Sequence, residues 1–229
     1  MPVDQVPLAT RLRVYVKDFV LVALVFAPVY VGANYFTDHR QFVLNMYFPF
    51  ELEIPLVPSF ILVYVSMYLV FLLPPFFLSP TEINQLCRKL LVATVIGGLT
   101  FLLLPGRLGY QRVSDIDSIF APSFKMLFWA DPPHNVVPSL HVTFSLLVIN
   151  AISRHVTRGM AGLLYFWFVL IVVSTLLTHQ HHIADIVSGM LVALLCDRYL
   201  NPRAEVARIH KTKFSKKYKK SQASDREVR

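Results

Sequence analysis

Two cysteines in 229 residues leave this chain almost nothing to oxidise. Cys87 and Cys196 sit near the ends of apolar runs, with neither the spacing nor the setting of a disulfide or a cysteine metal site, and read as packing residues. Charge is scarce too. Asp, Glu, Lys and Arg together make up 16% of the chain, and the acids are the scarcer, 14 against 22 bases. The middles of the apolar runs hold almost no charge, which argues against a transporter, since transport places ionisable residues near the midplane of its spans. The first run has no small-residue cleavage site after it and is span-length, so it reads as an anchor and not a removed signal peptide.

What is abundant is apolar surface. Apolar residues make up 55% of the chain and mean hydropathy is +0.54, well above soluble norms. They fall in six candidate spans at 19–36, 58–78, 89–105, 139–153, 159–178 and 183–200, near the length a bilayer requires except for the short fourth. The expected fold is therefore all-α: an integral membrane bundle of six transmembrane helices. It divides into a basic lead-in (1–18), one membrane domain (19–200) and a basic tail (201–229).

The net charge is +8, and the ten Lys/Arg against three Asp/Glu from Pro202 onward supply about +7 of it. Arg11, Arg13 and Lys17 precede the first span, Arg88 and Lys89 lie between spans two and three, and Arg154 and Arg158 between four and five. The positive-inside rule puts these segments, and both termini, in the cytoplasm. The alternate loops, including Glu51 and Glu53, then face outward. The tail is expected to lie near anionic inner-leaflet lipids. A nucleic-acid partner is not expected, because the rest of the chain is buried in lipid.

The outer loop at 37–57 is rich in aromatics (Phe42, Tyr47, Phe48, Phe50), as interfaces are. Pro74-Pro75 predicts a kink or an early stop in span two. The connection after Leu104-Pro105 is the longest in the chain, and with Trp129 it suits an interfacial segment. It ends in Asp131-Pro132-Pro133-His134-Asn135-Val136-Val137-Pro138-Ser139-Leu140-His141. Pro138 suits a helix's first turn, so the fourth span is expected to present its N–H groups and positive dipole end there, a ready anion site. The stretch from Ser174 to Asp185 packs three histidines and a carboxylate between two apolar runs. If a helix begins after Gln180, His181 and Asp185 are i and i+4 on one face, and the Asp orients one imidazole nitrogen while the other points away. Alternating spans bring this stretch to the same membrane face as Ser139 and His141.

On these residues the chain resembles the type 2 phosphatidic acid phosphatase superfamily of lipid phosphatases and phosphotransferases. Pro138-Ser139-Leu140-His141 matches its Pro-Ser-Gly-His motif except at Leu140. Ser174, His181 and Asp185 match its Ser-Arg…His…Asp motif at the right spacing, with Thr175 in place of Arg. A further family motif, a Lys and an Arg-Pro pair, is met only by Arg107 and Arg112, with Val113 where Pro would be. The variants are nearest the branch of inositol phosphorylceramide synthases and their bacterial relatives, which with the compact chain suggests a bacterial inner membrane.

The resemblance implies an active site at the extracytoplasmic face and no metal or other cofactor. His181 would attack phosphorus and become a phosphohistidine, Asp185 would orient it, and His141 would act as general acid and then base. Ser139, the Leu140 backbone, Ser174, Arg107 and Arg112 would bind the phosphate. The expected function is a phosphatase acting on a phosphorylated lipid. Fewer cations than the family carries would instead suit a phosphodiester and transfer of a headgroup to another lipid. Blander readings stand beside these: a His181–Asp185 pair without chemistry, arginines that only anchor at headgroups, a Ser174 back-bond, or a non-enzymatic metal-binding protein using His179, His181, His182 and Asp185 as zinc ligands. His134 reads as a loop residue.

Overall fold

A computed structural model describes residues 6–112 and 116–200 of the chain. The basic tail and Val113 lie outside the described residues. The elements are helices: α1 (Leu8–Asp38), α2 (Ile61–Val65), α3 (Met67–Val70), α4 (Pro74–Phe77), α5 (Pro80–Leu103), α6 (Ala121–Ala130), α7 (Leu140–Ser153), α8 (Arg158–Leu177) and α9 (Ile183–Tyr199), with 3-10 turns at Pro49–Glu53 and Pro58–Phe60. Among the described residues there is no strand, only isolated bridges joining Leu44 to Gly106 and Arg107 to His134. Three helices, α1, α5 and α8, are long and apolar enough to cross a membrane.

α7 is the centre of the bundle. Nearly every residue from Leu140 to Asn150 is buried, because α5, α8 and α9 all pack on it. α1 lies along α5 and keeps most of its surface outward, burying only Val22, Ala33, Asn34 and Thr37. α7 and α9 approach closely. A Cβ on Gly189, inside α9, would stand 2.6 Å from the Ser139 carbonyl oxygen, so only glycine lets α9 come this near to the start of α7. Thr143 Oγ1 donates across the contact to the Gly189 carbonyl at 2.9 Å.

Several boundaries differ from those expected. α1 runs on from Leu8 through the basic lead-in without a break at residue 18, since nothing between Pro7 and Phe19 interrupts a helix. Span two is not one helix. Ser66 back-bonds to the Val63 carbonyl at 2.6 Å, a bond that bends helices, and the chain restarts at Pro74, the first residue of α4. α5 starts nine residues earlier than span three, at a capping box in which the Ser79 hydroxyl accepts from the Glu82 N–H while Glu82 Oε2 accepts from the Ser79 N–H.

Lys89, expected in an inner loop, is consequently a buried residue inside α5. It pairs with Asp197 of α9 at 2.7 Å, and Arg154 reaches the other oxygen of the same carboxylate. Within the long connection, α6 turns Phe124 inward and leaves Met126 and Trp129 outward.

Candidate active site

The starts of α7 and α9 and the segment after α5 meet at one end of the bundle. Ser139 caps α7: its side chain accepts from the Val142 N–H and its own N–H donates to the Asp185 carbonyl at 3.0 Å. Pro138 therefore stands before the cap and not in the first turn. The cap hydroxyl is wholly buried. The N–H groups of Leu140 and His141 follow it, in the turn that has no helical acceptor.

His181 lies just ahead of α9, whose cap is His182, so it does not share a helical face with Asp185. The pair forms across the turn instead. Asp185 Oδ2 accepts from the His182 N–H at 2.8 Å and meets His181 Nδ1 at 3.3 Å. A carboxylate beside a helix start can only accept, so the proton of His181 sits on Nδ1. Nε2 is left as an acceptor, and His141 Nδ1 stands 3.3 Å from it. His141 Nε2 in turn receives the Tyr64 hydroxyl at 2.8 Å. The result is an ordered relay, Tyr64 to His141 to His181 to Asp185, drawn from four separate elements.

Of the expected phosphate ligands, Arg112 is brought to this relay. With Asp131, Asn135, Gln180 and His181 it lines a pocket of about 10 Å³, room for about one water. Its guanidinium lies 4.9 Å over the Phe128 ring and donates to the Phe128 carbonyl at 3.0 Å, and burial lowers its pKa against the pull of Asp131. Arg107 is exposed, and its backbone bridges to His134. Ser174 is buried within α8, its hydroxyl donated to the Ile171 carbonyl at 2.6 Å, and it lines neither cavity described here. Thr175, at the position of the family's arginine, is likewise buried and back-bonded to Val172.

On the other side the relay opens into a cavity of about 210 Å³, lined by Tyr30, Phe26, Phe71, Leu140, Phe144 and further apolar side chains along with His141 and His181.

A family model for the PAP2 superfamily matches residues 50–196, the stretch that holds every member of the relay. The chain belongs to the PAP2 superfamily. No curated protein and no solved structure matches it. PAP2 members are generally phosphatases or phosphotransferases, and this chain takes that type from the match.

Several residues at the candidate site carry no mark in the sequence. Tyr64 has no local signal, being one aromatic in an apolar run. Asp131 accepts the Tyr30 hydroxyl and faces Arg112 across the small pocket, yet in the sequence it is one acid in a long loop. Glu51 in the sequence is only a charge in an outward-facing loop. It is fully buried, and its carboxylate accepts from the Phe48 N–H at 2.8 Å and the Ile183 N–H at 2.7 Å.

His179 and His182 are set in a stack of rings. Tyr47 lies on His182, His182 on Tyr110 and Tyr110 on His179, at centroid distances of 4.8, 4.5 and 4.0 Å. Burial lowers both histidine pKa values and pushes Tyr110 up to about 12. Among the described residues no three or more His, Cys, Asp or Glu side chains are grouped to hold a metal ion. His179, a candidate zinc ligand, has its Nε2 on the Ile54 carbonyl at 2.8 Å.

Proposed function

We propose that this PAP2 protein is a lipid phosphate phosphatase working through a phosphohistidine on His181. The observation that carries the reading is the cavity opening on His141 and His181. Its lining descends α1 from Tyr30 to Tyr15, about 22 Å at roughly 1.5 Å per residue, and is apolar nearly throughout. A phosphate placed at the histidines would have a hydrocarbon chain to accommodate behind it.

In the first step His141 takes up a second proton on Nε2 as substrate binds, with the Tyr64 hydroxyl turning to accept; His181 Nε2 then attacks phosphorus, a P–N bond forms, the ester P–O bond breaks, and His141 gives its Nδ1 proton to the leaving oxygen. In the second, water attacks, His141 takes its proton, and the P–N bond breaks to release phosphate. Asp185 holds the Nδ1 proton of His181 throughout and offsets the positive charge of the intermediate. Arg112 and the first N–H groups of α7 bind the equatorial oxygens. The reaction uses no metal ion, so turnover is expected to survive a chelator.

The broken segment α2–α4 together with α7 and α9 brings the spans to six. Arg11, Arg13, Lys17, Arg154 and Arg158 favour the cytoplasmic side, leaving the site extracytoplasmic, in a bacterial inner membrane. The tail rests on anionic inner-leaflet lipid.

A second reading, headgroup transfer in the manner of the inositol phosphorylceramide synthase branch, is favoured by Thr175. With that side chain buried and no cation in its place, the site offers less positive charge than a dianionic phosphomonoester calls for, and a monoanionic phosphodiester calls for less.

The test is purified protein in detergent on lipid phosphates and phosphodiesters, reading inorganic phosphate and exchanged lipid together, with His181→Ala as control. Phosphate lost in the variant supports the phosphatase; exchanged lipid without phosphate moves the protein to transfer. Turnover unchanged in His181→Ala would sink both readings.

A further inference from the structure

Glu51 and His182 lie one step behind the relay, and their hydrogen bonds leave only one proton arrangement open. The Gly109 N–H donates to His182 Nε2 at 3.0 Å, so that nitrogen carries no proton. The proton sits on Nδ1, which faces Glu51 Oε2 at 3.3 Å. Both side chains are essentially sealed from solvent, at 0% and 1% exposure. Glu51 also holds the Ile183 N–H, the first of α9, at a helix start that favours its charge. The titratable groups facing His182 are Glu51, Asp185 and His181, with Tyr47 and Tyr110 on its ring faces.

His182 matters to His181 through its backbone. Its N–H and the Nδ1–H of His181 converge on the same oxygen, Asp185 Oδ2. Whatever moves residue 182 moves the acceptor that orients the neighbouring imidazole.

We propose that Glu51 and His182 form a positioning pair that fixes the tautomer and aim of His181. This rests on the reading of His181 as nucleophile. The pair draws together three segments far apart in sequence: the loop at Phe48–Glu51, the stretch at Gly109–Tyr110 and the start of α9. Neither residue lines the cavity or the small pocket, so the pair acts on substrate through His181. Burial, which lowers the His182 pKa, acts in the same direction as the Gly109 N–H and keeps the ring neutral.

Glu51→Gln is the informative change. Both carboxylate oxygens receive N–H donors, so either orientation of the amide sets its NH2 against a donor. The protein is labelled with 15N at histidine and resonances are assigned through single substitutions. In the native chain His181 and His182 are both expected with the proton on Nδ1. In Glu51→Gln both signals should shift. kcat should fall ten- to a hundredfold, as small misplacements of reacting groups do, with KM within about twofold, because no binding contact is lost. Glu51→Asp, which keeps only acceptors at shorter reach, should recover much of the rate.

A His182 protonated on Nε2 in the native chain, unchanged His181 signals in Glu51→Gln, wild-type kcat in that variant, or equal loss in the Asp and Gln variants would each overturn the pair. Native tautomers as stated, with His181 signals moved by Glu51→Gln but no turnover on any lipid phosphate or phosphodiester, would leave the pair standing and overturn the phosphatase reading instead.

Discussion

The two ends of the bundle bury ionisable groups in different ways. At one end, buried Lys89 and exposed Arg154 share Asp197, a set of opposite charges joining α5, the end of α7 and α9. At the other, the buried acids Glu51 and Asp185 are met by backbone N–H groups and by histidines. The first arrangement ties oppositely charged side chains across three helices and holds them together. The second has protons that can move, and its members sit beside a cavity. Buried charge alone therefore does not single out a candidate site in this protein; buried charge answered by imidazole and beside a cavity does.

The comparison is broken most severely at His181. His181→Ala is expected to lower turnover by roughly a thousandfold or more while changing the urea midpoint little, as measured by phosphate release and by denaturation in detergent. The crossed result belongs to the other end. Lys89→Met leaves a mostly buried Asp197 half-answered and should cost roughly 3 kcal/mol of stability, with kcat per folded molecule unchanged; a loss of kcat at full stability would mean the two ends are coupled.

Gly189→Ala acts between them. The added methyl meets the Ser139 carbonyl, so α9 must move away from the start of α7, at a cost of about 2 kcal/mol, and activity should fall with stability because His141 and Asp185 ride on those helices.

The smallest effect is with pH. Burial holds His179 and His182 below the ordinary histidine value of 6.5, so the unfolded chain takes up these protons first as pH falls. Their contribution is complete above about 6.5 and is lost below it, down to the lowered folded values. Stability measured by urea should drop by roughly 1 kcal/mol from neutral to mildly acid pH, and less in His182→Gln. An unchanged drop in that variant would place the effect elsewhere.

Much of the site was legible because two short segments carry it. His141 two residues after Ser139, and His181 four residues before Asp185, are local patterns, and they end up 3.3 Å apart between the two imidazoles. Helix ends were legible less often. The Ser79 capping box is present in the sequence as Ser79 and Glu82, but it precedes the apolar run that hydropathy marks, so Lys89 falls at the edge of that run. The break at Ser66 depends on a hydroxyl's choice of partner, including the Trp167 indole that donates to it at 2.8 Å, and no run of hydropathy encodes that.

The sequence by itself determined an apolar helical protein of the PAP2 type, its two histidine motifs and the poverty of cations around them, because composition, run length and spacing are properties of neighbouring residues. Only the tertiary structure decided that Arg112 and not Arg107 reaches the small pocket beside His181, that Ser174 turns its hydroxyl back into α8, and that Tyr64, Asp131 and Glu51 stand at the site. Those placements depend on how α7 presses on α9 through Gly189 and on loops folding over that junction. Contacts between segments tens of residues apart are set by packing and by the need to satisfy buried donors and acceptors, neither of which local spacing records.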